Sequence, residues 1–252
     1  MTVLRADGAI VSGGTTEHQS REQDSSETGG LERSGKFGPN DLLSAHLGSS
    51  PIENRYREFM EYSHKLGERE DWRGLRDRMG DRGEALRGHK APAGLYEALV
   101  RVAGALGYTV RVAEVGGASY TSAYTQHSER LIFLYPLAPG ALVSCLAHEL
   151  VHAYQWWSGR PDDDEVRRRL GILEAEAEMV AYLLCASRGL NTQGYSALYV
   201  VGWCFGHTEW VSSSAAWVLG TYAWLNDALG AAGGGQVRGG HIEQITSRGW
   251  SF

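Results

Sequence analysis

The sequence predicts a single α+β domain, and three observations carry that expectation. A period-two run and a short β-branched and aromatic run lie close together near the middle of the chain. Long stretches with helical spacing of apolar residues follow them. Between the two lies one helix-compatible segment, LAHELVHAYQ, with two histidines four residues apart. Strands grouped ahead of helices favour a small sheet with helices packed to one side, not an alternating parallel fold.

Taken in order, residues 1–50 are rich in Ser, Gly and Glu and poor in large apolar groups, and read as a disordered leader that cannot offset its ordering entropy. In residues 52–66, Ile52, Tyr56, Phe59, Met60 and Leu66 recur at helical intervals and predict a short amphipathic helix. From there to residue 87 the chain reads as an Arg/Gly-rich linker. Residues 94–107 place Leu95, Leu99, Val102 and Leu106 on one stripe, with Gly107 set to end the helix. Tyr108, Val110 and Val112 alternate with Thr109, Arg111 and Ala113, the period of a half-buried strand. Gly116–Ser119 reads as a turn, residues 119–125 as a second strand, and Leu131–Tyr135 as a strand covered on both faces.

Pro139 is suited to the first turn of a helix running to about Trp157. A second long helix is expected from about Asp164 to Arg188, opened by acidic residues that suit its dipole and closed by Gly189. A third, over 209–229, carries Trp210, Trp217 and Trp224 at intervals of seven, most simply a core-packing stripe. Residues 230–252 begin with a glycine-rich run and read as a flexible tail.

Composition narrows the function. The formal net charge of -6 and the pI near 5.9 argue against binding nucleic acid through the overall field. Charge is not segregated either: residues 51–90 hold ten basic and nine acidic side chains, a mixed solvated face. Cys145, Cys185 and Cys204 lie in apolar stretches without CxxC spacing, which suits a reducing compartment. With no run long enough for a signal peptide or a membrane span, the expectation is a cytoplasmic protein.

The chemistry concentrates in HELVH. Residues four apart in a helix lie one turn above each other, so His148 and His152 can share a metal ion, and Glu149 beside them can act as general base on a water at the ion. A third ligand is available from LEAEAEMVAY in the next helix. There Glu174 and Glu178 share a face, Glu176 points about 160° away, and Glu174 lies near the apolar line of Ala177, Ala181 and Leu184. A carboxylate so placed is costly to bury unless it meets a cation. Two histidines and a glutamate with an open fourth position form a catalytic zinc arrangement. For oxyanion stabilisation, Tyr124, His127 and Tyr154 are the candidates.

Residues 88–229 resemble the metallopeptidase domain of ArdC-type antirestriction proteins, which is related to the ImmA/IrrE metallopeptidases. The likeness is carried by GLYEALVRVAGALGYTV, the GGAS turn, LIFLY, LAHELVHAY, EAEAEMVAYLLCASRGLNTQGYSALYVVGW and the closing helix. It implies a zincin-like domain of the gluzincin type, with Zn2+ held by His148, His152 and Glu174, Glu178 supporting the site from behind, Glu149 as the catalytic residue, and a protein or peptide substrate. ArdC-type proteins also have an N-terminal single-stranded-DNA-binding domain. This chain has too little ordered sequence before residue 88 to supply one, so DNA binding is not expected. The competing reading is a non-catalytic, zinc-containing antirestriction or regulatory factor that grips DNA or a protein partner. The pair Trp156–Trp157 and the PDDD loop have no assigned role.

Overall fold

The computed structural model describes residues 50–113, 122–160 and 166–233. The leader, the GGAS turn, the acidic loop at 161–165 and the chain beyond Gly233 lie outside the described residues.

Helix α1 (Pro51–Gly67) begins at a capping box in which the Ser50 hydroxyl accepts from the Glu53 amide while the Glu53 carboxylate accepts from the Ser50 amide. Two of the otherwise unpaired amides of the first turn are satisfied in this way. Tyr56, Phe59, Met60 and Leu66 form its buried stripe. The stretch expected to be a linker instead carries two short helices, α2 (Trp72–Met79) and α3 (Arg82–Ala85), the second capped by the Asp81 carboxylate on the Glu84 amide. Its glycines and arginines hide the pattern, because Trp72, Arg82 and Leu86 make the buried contacts and only two of them are apolar.

Helix α4 (Leu95–Ala105) buries Leu95, Leu99 and Val102, and Gly107 reverses the chain at φ +85°, a conformation a Cβ disfavours. Strands β1 (Thr109–Val112), β2 (Ala123–Gln126) and β3 (Leu131–Leu134) follow, in spatial order β1-β3-β2. β1 runs parallel to β3, with Val110 opposite Ile132, and β2 runs antiparallel to it, with Thr125 opposite Ile132. The expectation that β3 is covered on both faces is corrected. Ile132 and Leu134 are fully buried, but Leu131 and Phe133 on the other face are only half-buried, because the helices pack on one side of this sheet.

Helix α5 (Pro139–Trp157) and helix α6 (Val166–Ala186) pack directly against each other and are buried over most of their circumference. A helix apolar on all sides belongs inside a core. α6 ends at Gly189, where φ of +87° lets the Leu190 amide reach back to the Cys185 carbonyl. Helix α7 (Gln193–Trp203), not anticipated from the sequence, packs on α1, α2 and α6. The expected tryptophan helix is two helices, α8 (Glu209–Ser212) and α9 (Ala215–Gly233), separated by a turn at Ser213–Ser214. Trp217 and Trp224 are buried in α9, whereas Trp210 in α8 is half-buried and stacks on His207. No described helix is long and apolar enough to cross a membrane. The three cysteines are free and buried, as their apolar surroundings suggest.

Candidate metal centre

The HELVH segment lies in the middle of α5, whose helical period turns His148 and His152 toward α6. From α6, Glu174 meets them. His148 Nε2 lies 3.1 Å from His152 Nε2 and 3.2 Å from Glu174 Oε2, and His152 Nε2 lies 3.5 Å from Glu174 Oε1. This group of three can hold a metal ion. A tetrahedral ion with bonds of about 2.0–2.1 Å has ligand atoms about 3.3 Å apart, so these separations fit one centre.

The hydrogen bonds behind the imidazoles make the same point by another route. His148 Nδ1 lies 2.9 Å from Glu178 Oε2, an acceptor, so it carries a proton and donates. His152 Nδ1 lies 2.8 Å from Gln155 Oε1, and Gln155 is oriented by donation from its Nε2 to the Leu173 carbonyl at 3.0 Å. In their neutral forms both rings would therefore turn Nε2 lone pairs toward each other and toward a carboxylate. Three acceptors facing inward at these distances repel unless a proton or a cation lies among them.

The protonation balance reflects that frustration. Burial alone would lower the His148 pKa, but hydrogen bonds to Glu174 and Glu178 and the charge on Glu178 overcome it and raise it to about 9. Burial would raise the Glu174 carboxyl, but the His152 charge and the bonds to both histidines hold it well below the usual range. Glu178, fully buried, is likewise pushed up by burial and brought down to about 2 by Arg82, His148 and Ser196.

Glu149 occupies the next position on α5 and is nearly buried. The Thr125 hydroxyl on β2 meets both its carbonyl oxygen, at 3.0 Å, and its carboxylate Oε2, at 2.8 Å. One β2 side chain thus fixes the carboxylate between the metal group and the sheet. The strand nearest the site in sequence, β3, is the central one and has both edges occupied. Among the described residues β2 pairs only with β3, and its Thr125 reaches Glu149.

Tyr154 is not near the metal group: it packs on Trp224 at 4.7 Å and on Trp157 at 5.8 Å. Tyr124 stacks on Phe133 on the outer face of the sheet and is 38% exposed. His127 is the one of the three on the site side. It stacks on Trp156 at 4.7 Å, one helical turn beyond His152, and its Nδ1 lies 2.9 Å from the Tyr108 hydroxyl. Burial, aided by the charges of His152 and Arg130, lowers its pKa, so it stays neutral.

Sequence reasoning missed Tyr199, Ser196 and Arg82. The Tyr199 hydroxyl donates to Glu174 Oε2 at 3.1 Å, with its ring edge-on to His148 at 5.6 Å. Ser196 donates to Glu178 Oε1 at 2.6 Å, and Arg82 to Glu178 Oε2. Tyr195 and Ser196 stand four and three residues before Tyr199, the spacing of one helix face that a helix reading of this segment supplies, while Arg82 lies on α3 and has no such signal. Glu176 points away, fully buried against Arg160.

No protein family, curated protein or solved structure matches this chain.

Proposed function

We propose that the chain is a zinc-dependent peptidase-type hydrolase of zincin-like architecture. His148, His152 and Glu174 are the zinc ligands and Glu149 is the general base. The observation that carries the reading is the inward convergence of two Nε2 lone pairs and one carboxylate beside a second carboxylate fixed by the edge strand. An N2O donor set with borderline-soft imidazoles suits zinc. When bound, zinc supplies a Lewis acid for a carbonyl oxygen and lowers the pKa of water in its open position.

The chain's own residues supply the remainder. Glu149, within reach of the same space, accepts a proton from the attacking water and returns it to the leaving amine, and Thr125 holds the oxygen that is not so used. The outer edge of β2 aligns an extended peptide by backbone hydrogen bonds, placing its carbonyl over the ligands. Tyr199, whose hydroxyl burial keeps protonated, and neutral His127 are the hydrogen-bond donors nearest to a developing oxyanion.

The test is metal content by plasma mass spectrometry with hydrolysis of labelled casein measured in parallel. Wild type should hold about one zinc per chain, and His148→Ala and Glu174→Ala should hold none. Glu149→Gln should keep the metal and lose about 10²–10⁴-fold in rate. Zinc binding with no hydrolysis of any protein substrate would leave the non-catalytic regulatory factor as the better reading. Hydrolysis retained in Glu149→Gln would defeat the mechanism.

A further inference from the structure

Glu174 and Glu178 lie one turn apart on the same face of α6, and both reach His148, so helix geometry does not choose which of them binds metal. The choice comes from outside both site-forming helices. Arg82, in the four-residue helix α3, is 4% exposed and enters the space between α5 and α6. Its Nη1 donates to the Ser144 carbonyl at 2.8 Å, one turn before His148, and its Nη2 donates to Glu178 Oε2. The rings of Tyr195 and Tyr199 flank the guanidinium at 4.9 and 5.7 Å.

Every acceptor of Glu178 is thereby engaged: Oε2 by Arg82 and the His148 Nδ1–H, Oε1 by the Ser196 hydroxyl, which itself lies 2.9 Å from the Thr192 hydroxyl. Among the described residues Glu174 has no arginine partner; its oxygens meet the two imidazole Nε2 atoms and the Tyr199 hydroxyl. A planar guanidinium that holds a carboxylate and a main-chain carbonyl at once is a rigid fixture in a way that a lysine cannot reproduce.

We propose that Arg82 is a positioning residue of the metal centre: it fixes Glu178 as the acceptor behind His148, selects the Nε2 face of that ring for metal, and so leaves Glu174 as the ligand. The centre therefore includes a residue from the segment before residue 88. This inference rests on the metal reading above, without requiring that the centre be a peptidase.

The experiment uses the full chain with zinc as the probe. Zinc affinity by chelator competition, the thermal midpoint of metal-free protein, and the 15N shifts of the His148 imidazole are compared across wild type, Arg82→Met, Arg82→Lys and the double variant Arg82→Met/Glu178→Gln. Arg82→Met should bind zinc about 10–100-fold more weakly, with Arg82→Lys between it and wild type. The double variant removes both buried charges, so it should recover the thermal midpoint lost in Arg82→Met but not the affinity. It also keeps the test valid if Arg82→Met does not fold. A folded Arg82 variant that binds zinc within about twofold of wild type would overturn the proposal. So would a double variant that recovers both quantities, since Arg82 would then only neutralise a buried charge. If wild type binds no zinc, the metal reading fails separately. The 15N shifts then decide: loss of the Nδ1-protonated signature in Arg82→Met or Arg82→Lys supports the positioning role, and an unchanged spectrum overturns it.

Discussion

Helix α6 carries two buried glutamates on opposite sides, each paired with an arginine from another segment, and the two pairs differ in their surroundings. On the metal side, Arg82 and Glu178 are 4% and 0% exposed, and the carboxylate takes three donors. On the far side, Arg160 meets Glu176 Oε1 at 2.6 Å and lies over Trp217 at 4.8 Å, but Glu176 Oε2 is buried without a hydrogen-bond partner among the described residues. The consequence is opposite in sign. Burial pushes both carboxyls up; Arg82, His148 and Ser196 bring Glu178 down to about 2, while Ser214, Arg160 and Gln155 leave Glu176 above its usual value. At Glu178 the charges of Arg82 and His148 with the Ser196 hydrogen bond outweigh burial, whereas at Glu176 Ser214, Arg160 and Gln155 do not.

The largest expected contrast is in stability. Glu178→Ala strands a buried guanidinium and leaves the His148 Nδ1–H and the Ser196 hydroxyl without their acceptor, so it should cost about 3–5 kcal/mol in urea unfolding. Glu176→Ala should cost about 1–2 kcal/mol, because Arg160 is 29% exposed and its head can turn to water. Equal losses would break the comparison.

Metal affinity sharpens it. Glu178→Gln should weaken zinc about 10–100-fold, as expected when the acceptor behind a histidine ligand changes, whereas Glu176→Gln should stay within about twofold of wild type. A comparable loss in both would mean that the far-side pair also orients the ligands, through Gln155.

The smallest effect is the pH dependence of the metal-free protein. Glu178 is depressed from 4.5 to about 2, so its contribution is present above 4.5 and is lost as pH falls from there toward about 2. Glu176 is raised above 4.5, so the folded state favours its protonated form and loses that advantage as pH rises through the raised value. Thermal midpoints of Glu178→Gln relative to wild type should therefore converge with wild type on acidification. Those of Glu176→Gln should gain on wild type as pH rises. Parallel curves for the two variants would refute the difference in environment.

Much of the metal centre was legible because it is local. His148, Glu149 and His152 lie within five residues, and a helix of fixed period puts the two imidazoles on one face whatever surrounds it. The opposed orientation of Glu176 was legible for the same reason. Between Glu174 and Glu178 helix geometry alone was silent, since both share one face; the apolar line and the family resemblance favoured Glu174, and what the sequence did not show is Arg82, 96 residues before Glu178, on the Glu178 carboxylate. Thr125, Ser196 and Tyr199 carry no motif; each becomes part of the site only because β2 and α7 pack where they do. Helices α2 and α3 were hidden because glycines interrupt them and arginines leave little apolar pattern, while Trp72, Arg82 and Leu86 are the buried contacts.

By itself, then, the sequence determined an α+β chain with a small sheet ahead of its principal helices and a pair of histidines and a glutamate on one helix, because hydrophobic periodicity and i,i+4 spacing depend only on the local backbone. The tertiary structure alone decided which strand keeps an unpaired edge among the described residues and which donors, Arg82 and Ser196, engage Glu178 behind His148. Those outcomes depend on donors and acceptors brought together from distant segments, and in a buried site the balance between burial and those partners fixes where charge can reside.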